Sequence, residues 1–218
     1  MYLSRLMLNP RDRTAQRELG NPYELHRTLM DAFPEDLPKS ERILFRPDTD
    51  PRTGIPTILV QSHTAPDWAD LQARDNYLLP PSHLPPQIFA NPAVKPFDLA
   101  DQLAAGQPLA FRLRANPTVK RDGSRHGLYQ EEDQRAWLDR KGERNGFRIA
   151  RVTVIKEGNV YAWKPRRNGK KRKLTFFAAR FEGLLHVTDP DKLWDSIQSG
   201  IGPAKSFGFG LLSLAPPQ

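Results

Sequence analysis

Prolines at positions 80, 81, 85, 86, 92 and 96 crowd the middle of the chain. Neither a helix nor a central strand can run through them, because proline lacks the amide hydrogen and its ring clashes with the preceding turn. The chain must therefore organise itself on either side of a linker-like stretch. Its 218 residues leave room for two compact domains, each of about 100 residues. Of these residues 38% are hydrophobic, enough for two modest cores and too many for a disordered chain.

Each half carries the same order of local patterns. In the first, YLSRLML (2 to 8) alternates like a half-buried strand and stops at Asn9-Pro10. A helical region follows. Asn21 is placed to cap a helix that begins at Pro22, with Glu24 completing a capping-box-like arrangement. RILFRPD (42 to 48) and IPTILVQS (55 to 62) flank a turn-rich segment and read as a hairpin. A short helix is expected over 67–76 and a strand near 94–98. The second half offers strand PLAFRLRA from 108, helix QEEDQRAWLDRK ending at Gly142, and strand FRIARVTVI. Strand material at 160–163 and 174–187, helix DPDKLWDSIQSG and strand FGLLSL complete it. A β-α-β-β-α-β order met twice predicts an α+β protein of two tandem ferredoxin-like, RRM-like domains, 1–104 and 105–218. The second repeats the first in pattern, not in residues.

Thirty-three Lys and Arg against 25 Asp and Glu leave a net charge of +8, which points to a phosphate backbone as partner. Apolar stretches all fall short of the ~20 residues that span a membrane, so no membrane partner is expected. MYLSRLMLNPRDR lacks the features of a secretory signal, so a cytoplasmic location is expected. The absence of cysteine removes disulfides, thiolate nucleophiles and thiolate metal sites. The five histidines are too dispersed to suggest a metal site, and no small-molecule cofactor is expected. His63, His83, His126 and His186 read as surface or hydrogen-bonded residues.

Chemistry points to the helix NPYELHRTLMDAF. At 100° per residue Leu25, Leu29, Ala32 and Phe33 share its core face, while Tyr23, His26 and Met30 gather on a flank where they can meet. Near the helix start the dipole disfavours an imidazolium, and a neutral imidazole can act as a base. RNA carries its own nucleophile, the 2′-hydroxyl. Its cleavage therefore needs only proton transfer and charge stabilisation, which histidine, tyrosine and cations supply without a metal. On pattern alone the spacing better suits an ordinary surface histidine beside a packing tyrosine, since such pairs are common on helices.

Binding points elsewhere. KPRRNGKKRK (164–173) centres on Asn168-Gly169, the strongest short hairpin-turn signal. An arm bearing Lys164, Arg166, Arg167, Lys170, Lys171, Arg172 and Lys173 suits the backbone and groove of duplex RNA. In GIGPAKSFGFGLLSL two Gly-x-Gly steps flank an insert with Lys205 and Ser206. Because this loop follows a helix and leads into a strand, it is not a dinucleotide or ATP loop. A structural role accounts for Gly200 but poorly for all four glycines, so Gly202, Lys205, Ser206 and Gly208 are assigned to phosphate-backbone contact. Arg112 and Arg114 alternate with Phe111 and Leu113 on a strand, as on an exposed basic sheet face, and Lys120, Arg121 and Arg125 extend the charge into a loop.

Taken together, YLSRLMLNPRDR, NPYELHRTL and GIGPAKSFGFGLLSL resemble the CasE family of CRISPR endoribonucleases, from end to end of the chain. The glycine pattern alone resembles the wider RAMP class. The resemblance implies a crRNA-processing enzyme that cuts CRISPR precursor RNA at the 3′ base of each repeat stem-loop without metal, leaving a 2′,3′-cyclic phosphate and a 5′-hydroxyl. It implies that the mature crRNA is retained within the type I-E Cascade complex, alongside other Cascade subunits. By motif it places Tyr23 and His26 on the family's catalytic tyrosine and histidine. Asp31 and Pro34 follow His26 where a further Lys or Ser would help, so the cation is left to Arg27, the basic hairpin or Lys205. Whether His26 is base, acid or both stays open at this point. The competing expectations are a non-catalytic RNA-hairpin-binding scaffold of the same fold and, less well supported, a DNA-binding adaptor.

Overall fold

The computed structural model describes residues 1–166 and 169–217. These form two compact units, the first built from 1–97, 161–174 and 206–208, the second from 98–160, 175–205 and 209–217. Both contain a four-stranded antiparallel sheet with the same order, and the architecture is two tandem ferredoxin-like folds.

In the first unit, β1 (Tyr2–Met7), α1 (Arg13–Leu19), α2 (Pro22–Met30), β2 (Leu44–Thr49), β3 (Pro56–Ser62), α3 (Ala69–Gln72) and β4 (Ala93–Pro96) follow one another, and the sheet runs β2-β3-β1-β4. Alternation decides the layers. Leu6 of β1, Phe45 of β2 and Ile58 and Val60 of β3 point to one face, where Leu25 and Leu29 of α2 cover them. Burying each of these helix leucines contributes about 1.5–3 kcal/mol. Trp68 joins this core edge-on to Phe33, and its indole N–H donates to Ser4 Oγ at 3.1 Å. Helix α1 starts at Asp12, whose carboxylate accepts from the Ala15 amide. The helix expected over 67–76 is confined to four residues, and the left-handed Asn76 (φ +59°) lies beyond its end.

In the second unit, β5 (Pro108–Ala115) is followed by a two-stranded ribbon, β6 (Thr118–Arg121) and β7 (Ser124–Gly127). Then come α4 (Glu131–Arg144), β8 (Phe147–Pro165) and β9 (Lys171–Val187), whose ends at 161–165 and 171–174 are counted with the first unit, and α5 (Pro190–Ser199) and β10 (Leu212–Ala215), with sheet order β10-β5-β9-β8. Phe111, Leu113, Phe181 and Leu185 of the sheet, Trp137 and Leu138 of α4 and Leu193 and Ile197 of α5 are all buried, and the Trp137 ring stacks on Phe181. Asp189 caps α5 as expected, accepting from the Lys192 amide.

Some expectations need correction. Helix α4 does not end at Gly142 but runs on to Arg144. That glycine is needed because a Cβ there would come within 2.6 Å of the Phe147 carbonyl oxygen. Strand β8 is continuous for 19 residues, because Gly158 at φ +86° is accommodated inside the strand with no chain reversal. Lys120, Arg121 and Arg125 lie on the β6-β7 ribbon, not in a loop, and Asp122-Gly123 with φ of +49° and +76° makes its turn. Among the described residues no helix is long and apolar enough to cross a membrane.

Candidate active site

Helix α2 begins at Pro22, but Asn21 does not cap it through its side chain. The Asn21 carboxamide oxygen instead accepts the Trp163 amide at 3.0 Å, tying β8 to the start of α2 within the first unit. Glu24 is likewise diverted from the capping box to an ion pair with Arg27 at 3.2 Å.

Three- and four-residue spacing brings Tyr23, His26, Arg27 and Met30 to one open pocket of about 520 Å³, completed by Asp31, Lys164, Ser206 and Phe207. His26 stacks on Phe45 of β2, with ring centroids 6.0 Å apart and planes within 9°. Its Nδ1 is buried with no hydrogen-bond partner, so Nε2 is the nitrogen that chemistry can reach. Burial holds the imidazole pKa below its usual 6.5. The direction agrees with that expected from the helix dipole, but desolvation is the cause. At neutral pH the ring is therefore uncharged and poised to take a proton.

Cations reach the same pocket. Lys164 places its ammonium 6.0 Å from the centre of the Tyr23 ring. Arg27 is well exposed, and its pair with Glu24 is of the surface kind, worth at most about 1 kcal/mol, so the guanidinium is releasable. Asp31 is the pocket's acid, and its charge is offset by Arg74 at 3.1 Å. Among the three sources considered for a stabilising cation, Arg27 and the hairpin's Lys164 line the pocket, whereas Lys205 is not among its lining residues. Its neighbour Ser206 is. Among the described residues, no three His, Asp or Glu side chains are grouped as a metal site would need.

Arg166, Lys170, Lys171, Arg172 and Lys173 are exposed on the arm, and the Arg166 amide donates to the Lys170 carbonyl at 2.8 Å near its tip. Arg167 lies outside the described residues. The expected exposed basic face is corrected at Arg114, while the Arg112 side chain keeps much of its exposure. Arg114 is buried, its Nε donating to Glu157 at 2.6 Å while its guanidinium lies 4.6 Å from the centre of the Phe209 ring. Arg112 pairs with Glu182 at 2.8 Å. These arginines balance acids on their own sheet, and cross-strand carboxylates are not visible to a reading of one strand.

The glycine loop also has a structural account that the sequence reading undervalued. Gly210, at φ +93°, donates its amide to the Arg114 carbonyl and accepts from the Ile201 amide, and a Cβ there would meet Ile201 O at 2.9 Å. Gly202, at φ +87°, lies against the Trp137 ring, where a Cβ would meet carbon at 3.1 Å. Gly208 also has positive φ, at +81°. The pattern is required to close the loop, whatever it binds. Phe45 and Phe207 are site residues that sequence reasoning missed, and nothing local to either residue signals them.

Two ferredoxin-like folds, a basic hairpin and a glycine-closed loop place the chain in the class of tandem ferredoxin-like proteins. Residues 1–216 match the family model described as CRISPR associated protein. The chain is 37% identical to the CRISPR-associated endoribonuclease Cse3 of Thermus thermophilus, covering 99% of this chain and all of that one. It is 32% identical to the Cascade subunit CasE of Escherichia coli K12, over 99% and 100% of the two chains. Among solved structures, Cse3 bound to a 19-nucleotide RNA superposes with a TM-score of 0.83 at 36% identity, over 99% of this chain and 100% of that one. The crystal structure of Cas6e from Escherichia coli gives 0.68 at 32%, with both chains covered in full. The chain belongs to the CRISPR-associated endoribonuclease family of Cse3 and CasE.

Proposed function

We propose that this protein is a metal-independent endoribonuclease that cuts CRISPR precursor RNA at the 3′ base of the repeat stem-loop and retains the product. The observation that carries the reading is the pocket in which a desolvated His26 meets Tyr23 and the cations Lys164 and Arg27. His26 Nε2 removes the 2′-hydroxyl proton. The oxygen attacks the adjacent phosphorus, and the P–O5′ bond breaks to leave a 2′,3′-cyclic phosphate. The leaving oxygen takes a proton from the Tyr23 hydroxyl or from water, and Lys164 and Arg27 stabilise the extra charge on the phosphorane. No step asks for a metal.

Retention follows from the arm. Arg166, Arg167, Lys170, Lys171 and Arg172 contact the stem backbone and Lys173 the backbone at the end of the stem, with Gly202, Lys205, Ser206 and Gly208 holding the strand near the cut. Arg112 and Arg114 contribute through the sheet they order. The similarity to a chain solved as Thermus thermophilus Cse3 with a pre-cleavage RNA, and to the Cascade subunit CasE, supports repeat RNA, mature crRNA and other Cascade subunits as partners. Along the sequence, residues 1–104 and 105–218 are the two domains we assign, with 161–174 and 206–208 clustering with the first.

The test is incubation of a repeat-hairpin RNA with the protein in excess EDTA, followed by analysis of the RNA ends. The expected products are one cut per hairpin, a cyclic phosphate upstream and a 5′-hydroxyl downstream. Cleavage that requires an added divalent ion, or that leaves a 5′-phosphate, contradicts the reading. Tight binding with no cleavage at all leaves the scaffold alternative.

A further inference from the structure

Two aromatic side chains on the basic arm have no part in the reaction. Tyr161 and Trp163 are 40% and 41% exposed, while Ala162 between them is fully buried. Strand alternation therefore puts both rings on the outer face of β8, and Lys164, next along the strand, points the other way into the pocket with Tyr23. The Lys173 ammonium, from the neighbouring strand, lies 3.8 Å from the centre of the Tyr161 ring and 5.6 Å from that of Trp163. Trp163 is held in register by the hydrogen bond that its backbone N–H donates to Asn21 Oδ1, for which that asparagine gives up its capping role.

Backbone recognition of a duplex needs only cations, and the arm already has them; it has no use for two exposed rings. Bases within an A-form stem are stacked on one another and offer no free face, so exposed rings can stack only at the end of the stem, on the terminal pair or on an unpaired base beside it. The surrounding charge selects a polyanion over an apolar protein surface, and the ammonium parked over the rings is placed to move to the phosphate of whichever nucleotide stacks there.

We propose that Tyr161, Trp163 and Lys173 form a stacking platform for an unpaired nucleotide flanking the repeat stem, on the face of the arm opposite the cleavage pocket. This rests on the reading of the chain as a repeat-RNA nuclease. The platform measures the junction between paired and unpaired RNA, so it adds specificity for a hairpin within a longer transcript over an isolated stem-loop.

The test compares binding of a stem-loop carrying its unpaired flanks with the same stem-loop trimmed flush, for the wild type, Tyr161→Ala/Trp163→Ala and Trp163→Phe. The wild type should prefer the flanked RNA by on the order of 10- to 100-fold. The double alanine variant should lose that preference while binding the flush stem-loop as the wild type does, and Trp163→Phe should keep most of it. A 2-aminopurine in the flank should be quenched on binding to wild type and not to the double variant. Equal binding of flanked and flush RNA by the wild type, or a preference that survives loss of both rings, overturns the platform. Either result leaves the nuclease reading intact if cleavage persists. Stacking without cleavage would fail the nuclease reading alone, and a chain that binds no repeat RNA fails both.

Discussion

His26→Ala is expected to slow single-turnover cleavage of a repeat hairpin by about 10²- to 10⁴-fold, the usual contribution of a positioned proton-transfer group. RNA affinity should stay within about twofold of the wild type, since the cations that hold the backbone are untouched. Both follow from the position of the ring. It is stacked on Phe45 with only Nε2 within reach, and it is neutral because burial penalises its charged form. The pH dependence carries the sign. A base must be unprotonated, so the rate should hold through pH 6.5 and fall only below it, as the pH passes through the lowered pKa. A histidine acting as the acid would give the opposite slope, with the rate rising as the pH falls. Folding stability should follow the same direction. The unfolded chain takes up a proton at this residue first, so stability present above pH 6.5 is lost as the pH drops through the folded pKa. Rate profiles and thermal melts across that range check both statements.

Removing charge from the arm should leave chemistry intact and weaken binding. Arg166→Ala/Lys171→Ala/Arg172→Ala neutralises three exposed cations of the arm. Each contact with phosphate releases condensed counterions, so the plot of log affinity against log salt should become shallower by about 2 to 3. Affinity at physiological salt should fall by one to three orders of magnitude. At saturating protein, the single-turnover rate should match the wild type, because Lys164 and Arg27 remain in the pocket. A triple variant with unchanged salt slope would show that the arm does not touch the RNA.

The order of elements could be read along the chain because it rests on local signals: alternation in 2–8 and 55–62, proline at the first turn of α2 and α5, and a run of prolines in the middle. Tyr23 and His26 could be paired for the same reason, since helical spacing is local. What could not be read is everything that depends on a second strand. The acids that pair with Arg112 and Arg114 come from β8 and β9, the ring that stacks on His26 comes from β2, and the partner of Asn21 lies 142 residues away. Gly142 is a similar case: the glycine answers to a close approach by Phe147 and not to a helix stop. The exposed rings at Tyr161 and Trp163 differ, because Tyr-Ala-Trp beside a basic run is a signal present in the sequence itself.

The most direct test of the central claim is a repeat-hairpin RNA in which one 2′-hydroxyl, that of the nucleotide upstream of the cut, is replaced by hydrogen. The account predicts full binding by the wild-type protein and no cleavage at that bond in EDTA, because the attacking oxygen is gone. Cleavage of the deoxy-substituted bond would mean that water or another group attacks the phosphate, and it would contradict a mechanism built on the RNA's own nucleophile and His26 as its base.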